Sequence, residues 1–314
     1  MARLASRAWG GAGEGARDGR PVALLVHGIT SSSRTWWRVG PALAERGFAV
    51  LAVDLRGHGS SPRAEHGLGP AQLAADVAET VAAELGPAAA DAEPAVDLLV
   101  GHSLGAVVAL ALLAERPRYA RRLLLEDPPG PRSIDRGELA TGIEHDADRA
   151  RREPAALRAD LERDNPSWPP GEAEQRVADM LECDAGTLAA AVRSGLAFDL
   201  AAQAAGVEQP VLLVLADEAA GSSLLGEDRT ALVEAVRNGV TRVLPAGHSV
   251  HREVLPAYLA AVDEWLAAAP LGSHHELRLP PALKPTQSGT DSDPMRSARS
   301  GPDFAGRWAR QHGI

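Results

Sequence analysis

The chain has 314 residues, 45% of them hydrophobic and 24% charged, the balance of a soluble globular protein of one large or two small domains, which excludes a wholly disordered chain. No apolar run approaches the roughly 20 residues that a bilayer-spanning helix needs. The 42 acidic residues outnumber the 32 basic ones for a net charge of −10, which argues against a general nucleic-acid binder, because phosphate backbones need clustered Lys and Arg.

Met1 to Arg20 lacks the apolar stretch of about 7–15 residues that marks an export signal, so a cytoplasmic protein is expected. Leu4 to Trp9 reads as a short edge strand ahead of a Gly-rich turn. Val22 to Val26 is apolar throughout and reads as a strand buried on both faces of a parallel sheet, ending in His27-Gly28. A helix is expected over Thr35–Arg46, stopped by Gly47, and a second buried strand over Phe48–Val53. After a polar Gly-rich loop, Leu73, Val77, Val81 and Leu85 recur every four residues and mark an amphipathic helix over Ala71–Leu85. A third strand is expected over Val96–Val100, a helix over Gly105–Glu115 and a fourth strand over Leu123–Glu126. Strands and helices alternating at this spacing predict an α/β fold, a mostly parallel doubly wound sheet.

The rhythm breaks after Asp127. About 80 residues separate it from Val211, where a crossover needs only a dozen or more. This Arg- and Glu-rich stretch, broken by Pro154, Pro166, Pro169 and Pro170, reads as an inserted helical subdomain. The alternation then resumes with strand Val211–Leu215, helix Arg229–Asn238, strand Val240–Leu244 and helix Glu253–Ala268. Gly, Pro, Ser and Thr dominate beyond it, which predicts a disordered tail. The expected organisation is a core at 1–129 and 206–269, an insertion at 130–205 and a tail at 270–314.

The chemistry centres on Gly101-His102-Ser103-Leu104-Gly105, a G-x-S-x-G motif between an expected strand and an expected helix. A sharp turn there lifts a serine hydroxyl above the sheet edge, and small residues on either side avoid clashes. A helix beginning at the serine turns its dipole and free N–H groups toward developing negative charge. Ser103 needs a base, because a free hydroxyl is barely ionised. His248, in the loop after the last expected strand, is the candidate, with His251 as rival. The lone Cys183 excludes an intrachain disulfide and a Cys-rich zinc site, and reads as an inert buried thiol.

Together, His27-Gly28 after a strand, the Asp54-Leu55-Arg56-Gly57-His58-Gly59-Ser60 loop, the Gly-His-Ser-Leu-Gly elbow and Gly247-His248 near the end resemble the α/β-hydrolase superfamily over about residues 4–268. The resemblance implies an α/β-hydrolase fold whose insertion is a helical cap, and a Ser-acid-His triad in that chain order. The family's first strand has no counterpart ahead of Leu4, which points to a shortened start. The acid usually follows the strand before the last, and Asp217 is the first choice. Relatives often place it two residues further on, where this chain has Ala219. Glu218, Asp228 and Glu126 are the alternatives. The oxyanion hole falls to the backbone N–H of Leu104 and to that of Ile29, with Thr30 the alternative to Ile29. Gly28, Thr30, Trp36 and Trp168 are candidate pocket residues; of Trp36 and Trp37, one is expected to face the pocket and the other the core. His27 and His102 are expected to hold loops beneath the site.

The reading is therefore a cytoplasmic serine hydrolase of a small-to-medium ester, lactone or thioester, acting through an acyl-enzyme. No metal or organic cofactor is implied, nor any nucleic-acid or membrane partner; the partner is a small-molecule acyl substrate. The same triad serves carbon–carbon bond hydrolases, aminopeptidases and cofactor-free perhydrolases, and a silent ligand-binding protein is the rival of another class. Ser103 argues against an epoxide hydrolase or a dehalogenase, which want Asp at the elbow.

Overall fold

The computed structural model describes residues 2–11, 19–64, 68–86, 94–194 and 199–268; the expected tail lies outside them. Seven strands form one sheet: β1 (Ser6–Trp9), β2 (Val22–Val26), β3 (Ala49–Val53), β4 (Leu98–His102), β5 (Leu123–Glu126), β6 (Val211–Ala216) and β7 (Gly239–Leu244). Their spatial order is β1-β3-β2-β4-β5-β6-β7. β1 runs antiparallel to β3 and every other pair is parallel. β2 through β6 are buried along their whole length, as continuous apolar runs between two helical layers must be.

On one face lie α2 (Pro70–Leu85) and α3 (Leu104–Glu115); on the other lie α1 (Val39–Glu45) and α11 (Leu255–Ala268). The alternation of side chains along the strands feeds the two layers separately. Leu24, Val26 and Leu51 pack with α3, whereas Ala23, Leu25 and Val50 pack with Trp36, Leu43 and Trp265. α3 is buried on nearly every side, which is why its sequence is apolar all round.

Two expected helices are shortened by proline. The Thr35–Arg46 segment is a 3-10 turn at Ser33–Trp36 followed by α1. The Glu253–Ala268 segment divides at Val254 into α10 (Val250–Glu253) and α11. Pro41 and Pro256 sit in the first turns of α1 and α11, and a proline ring clashes with the carbonyl four residues upstream, so neither helix extends further back. The third strand lies two residues later than expected, because Val96 bridges Ala120 while His102 pairs with Glu126.

Between β5 and β6 the chain forms α4 (Arg136–Arg152), α5 (Pro154–Asp164), α6 (Glu172–Glu182), α7 (Ala185–Ser194) and α8 (Leu200–Ala205). α4, α5 and α6 share a small apolar cluster of Ala150, Leu157, Leu161, Ala173, Val177 and Met180. α9 (Gly226–Ala235) and α10 flank β7 in sequence. Among the described residues no helix is long and apolar enough to cross a membrane.

The chain leaves β2 in one direction across the sheet and, after β3, returns to add β4 on the other side. That reversal opens a crevice at the carboxyl ends of β2 and β4, the place where ligands bind in open α/β sheets. His27-Gly28 and His102-Ser103 meet there.

Candidate active site

Ser103 occupies the turn between β4 and α3 at φ 53°, ψ −118°. A non-glycine residue with positive φ is strained, and such strain persists where the surrounding structure over-determines it. The flanking glycines make the turn possible. A Cβ at Gly101 would lie 2.4 Å from the Gly105 carbonyl oxygen, and one at Gly105 would lie 2.1 Å from that of Val26. A Cβ at Gly28 would press on His102 and Ser103 at 3.0–3.1 Å, so glycine there eases the close approach of β2 to the elbow. The Leu104 N–H heads α3, where the first N–H groups of a helix have no intrahelical acceptor.

His27 fixes the other side of the crevice. Its Nε2 accepts the Leu55 N–H at 2.9 Å, so the ring proton is on Nδ1 and is donated to the Gly28 carbonyl oxygen at 2.7 Å. That carbonyl belongs to the same rigid peptide plane as the Ile29 N–H. Burial lowers the pKa of His27, in keeping with the neutral tautomer. His102 turns its Nε2 toward the His248 carbonyl oxygen at 3.1 Å, and its ring lies tilted against that of His248 with the centroids 4.7 Å apart. Burial, and then the neighbouring His248, His251 and Arg252, hold its pKa well below the ordinary value.

His248 and Ser103 line one cavity of about 110 Å³. The Nδ1 of His248 lies 2.7 Å from Oδ2 of Asp127. Asp127, the residue after β5, has φ 37° and no exposure. Its Oδ1 accepts from the Ser222 hydroxyl and the Ala216 N–H, and its Oδ2 also accepts from the Ser223 N–H. Burial alone would raise its pKa; the contact with His248 and the donors of Ser222 and Ser223 outweigh burial and hold the carboxyl below its usual range.

The carboxylate that meets His248 is therefore not the expected Asp217. Asp217 accepts a hydrogen bond from the Ala219 N–H at 2.8 Å and caps the short turn at Glu218–Ala220. β6 runs to Ala216, two residues beyond the Val214 that pairs with Glu126, so Asp217 emerges past the site. Glu218 pairs with Arg229. Asp228 ties down the 130–133 turn through Arg132 and Ser133. Glu126 binds His251, through both its backbone N–H and its Nδ1, at 2.9 and 2.7 Å. The rival acid and the rival histidine are thus each other's partner. His251 Nε2 in turn meets the Thr35 hydroxyl at 2.7 Å, wholly within the core.

The cavity wall also departs from expectation. Trp36 is fully buried on the far side of the sheet, stacked on His251 at 4.5 Å. Trp37 is partly exposed and reaches Glu172. Trp168 packs on the helical cluster of α4–α6, with the Arg252 guanidinium 5.5 Å from its ring, and borders a different cavity. Thr30, at φ 55°, turns away from the cavity: its hydroxyl donates to the Ile29 carbonyl at 2.7 Å and accepts from Arg176 at 2.8 Å. The wall is instead apolar, with Ile29, Leu104, Val107, Ile134, Leu139 and Val192 among its residues. The Asp54 loop is structural. Asp54 accepts the N–H groups of Ser33 and Ser60, and Arg56 pairs with Asp76.

α6 is fastened to the core by a clasp of polar and ionic contacts, buried except at Arg34–Glu182. Arg176 donates to the carbonyl and hydroxyl oxygens of Thr30, and Asp179 accepts from Ser31 and Ser32. Arg252 lies 2.9 Å from Glu172, and Arg34 pairs with Glu182 at 2.6 Å. Cys183 is buried, and burial raises its thiol pKa. Among the described residues no group of three or more His, Cys, Asp or Glu side chains is arranged to hold a metal ion.

Residues 23–262 match the alpha/beta hydrolase family. Among curated proteins, an uncharacterized protein of Mycobacterium tuberculosis is 38% identical over 112 residues, 35% of this chain and 30% of that protein. Lipase LipV of the same organism is 35% identical over 111 residues, 35% of this chain and 38% of the lipase. These alignments span only about a third of the curated relatives' own length. The solved enol-lactonase from Burkholderia xenovorans LB400 shares the fold at a TM-score of 0.63 and 22% identity, covering 84% of this chain and 96% of that one. With the family match running from β2 into α11, the chain belongs to the alpha/beta hydrolase family.

Proposed function

We propose that the protein is a serine hydrolase of small-to-medium carboxylic esters, lactones or thioesters, with Ser103, His248 and Asp127 as its triad. The observation that carries this reading is the 2.7 Å contact of His248 Nδ1 with Asp127, buried behind the cavity that His248 and Ser103 both line. With Nδ1 given to Asp127, proton exchange with Ser103 falls to Nε2. Asp127 stays ionised, sets the ring tautomer and stabilises the imidazolium that forms.

Ser103 Oγ attacks the substrate carbonyl carbon while His248 takes the hydroxyl proton. The carbonyl π pair moves onto oxygen, where the N–H groups of Leu104 and Ile29 stabilise it. Collapse of the tetrahedral intermediate expels the alkoxide or thiolate, which leaves with the proton held by His248. Water then attacks the acyl-Ser103 ester with His248 again as base, releasing the acid and restoring the hydroxyl. His27 orients the Ile29 N–H from behind through the shared peptide plane.

Residues 130–205 act as a cap: Ile134, Leu139 and Val192 close the cavity from that side. An apolar cavity of about 150 Å³ holds benzene, so one of about 110 Å³ suits an acyl group of about that size or smaller. The test is steady-state hydrolysis of p-nitrophenyl acetate, butyrate and hexanoate. The wild type turns over at least one, and Ser103→Ala reduces the rate to background. Undiminished turnover by Ser103→Ala sinks the reading.

A further inference from the structure

The cavity beside Ser103 has one cation in its wall. Arg136, the first residue of α4, lines it together with Ile134 and Leu139. No Asp or Glu does so among the described residues. The carboxylate behind the site, Asp127, is fully buried and engaged by His248, Ser222 and Ser223. The carboxylate beside Arg136 in sequence, Asp135, caps α4 by accepting from the N–H groups of Gly137 and Glu138.

Of the four other arginines between 132 and 152, three are paired, and Arg151, the exception, does not line the cavity. Arg132 holds Asp228 and Glu227, Arg149 holds Asp160, and Arg152 holds Asp148. Arg136 has no hydrogen bond or ion pair among the described residues. Arg136 is exposed and lines the apolar cavity, so its guanidinium is a ready partner for an anion. Its planar fork matches a carboxylate in two parallel bonds, and low-dielectric walls focus its field inward. Among the described residues nothing in the wall offers the opposite charge, although the chain as a whole is net acidic at −10.

Resting on the hydrolase reading above, we propose that Arg136 sets the substrate class: acyl compounds whose acyl part ends in a carboxylate. The scissile carbonyl sits at Ser103, the intervening methylenes lie along the apolar wall, and the terminal carboxylate meets Arg136. The products are a dicarboxylate and the leaving alcohol or thiol.

The test compares p-nitrophenyl hydrogen adipate with its methyl ester, which has nearly the same shape and no charge. The expected result is a kcat/KM for the acid about tenfold or more above that for the methyl ester, an order set by charge-assisted hydrogen bonds. Arg136→Gln should collapse that ratio, chiefly through KM, and Arg136→Lys should keep part of it. A ratio at or below one in the wild type, or an unchanged ratio in Arg136→Gln, overturns the proposal. A binding arm needs no turnover. In the Ser103→Ala protein, adipamic acid should raise the melting temperature and adipamide should not, and adding Arg136→Gln should abolish the difference. If neither ester is hydrolysed but adipamic acid still binds through Arg136, the hydrolase reading fails and only the carboxylate-binding role of Arg136 stands. If the methyl ester is hydrolysed without preference for the acid, the reverse holds.

Discussion

His248 and Asp127 meet at 2.7 Å across the carboxyl ends of β5 and β7, while Asp217, at the end of β6, gives its carboxylate to the Ala219 N–H. The carboxylate that meets the histidine therefore follows the strand next to the elbow strand. Asp127→Asn preserves the side chain's size but offers an amide where the imidazole N–H needs an acceptor. It is expected to lower kcat/KM for a p-nitrophenyl ester by about 10³–10⁴-fold, the cost of a wrong tautomer. Asp217→Asn is expected to stay within about threefold of wild type, since surface changes away from the site act weakly. Parallel kinetics on the two variants decide between the carboxylates, and a larger loss in Asp217→Asn would reverse the assignment.

Much of the frame could be read from the chain because the relevant signals are local. The all-apolar strands, the glycines around Ser103 and the His248 loop are each legible within about six residues. Asp127 was not. It stands before Pro128-Pro129, where it reads as the first residue of a loop, and its donors Ser222 and Ser223 lie about 95 residues later. Only the register that sets Glu126 against Val214 brings these groups together. The clasp of α6 escaped for the same reason, its ion pair from Arg34 to Glu182 crossing 148 positions. Trp36 was undecided because helical geometry alone does not say which side of a turn faces a pocket. Pro41 starts the helix late and leaves Trp36 on a 3-10 turn facing the core.

Arg176 ties the insertion to the loop after β2 through Thr30. Removing one partner of a buried ionic set leaves the rest uncompensated, at a cost of about 3–5 kcal/mol. For Arg176→Leu this corresponds to a melting temperature lower by roughly 6–20 °C in a domain of this size. The esterase rate should fall as well, because Thr30 at φ 55° loses the contact that holds it. Calorimetry and ester hydrolysis on the same preparation check both; an unchanged melting temperature would show that the clasp contributes nothing to stability.

His58 sets part of the acid limb of stability. Burial first, and then the neighbouring His27, push its pKa down to about 3 from the ordinary 6.5. Below pH 6.5 the unfolded chain takes up a proton that the folded one refuses, so stability rises with pH through this window and is lost as pH falls from 6.5 toward 3. The loss from this residue is about 1.4 kcal/mol per pH unit. In His58→Gln that share is absent, so the gap in melting temperature between wild type and variant should narrow steadily from pH 7 to pH 5. Parallel curves over that range would contradict the assignment.

The most direct test of the account is intact-mass analysis after exposure to a fluorophosphonate, a reagent that captures an activated serine. The wild type is predicted to gain one phosphonyl adduct, mapped by peptide digestion to Ser103. Ser103→Ala and His248→Ala are predicted to gain none, and Asp127→Asn to react far more slowly. An unlabelled wild type, or an adduct that persists in Ser103→Ala, would contradict the claim that Ser103 is the nucleophile.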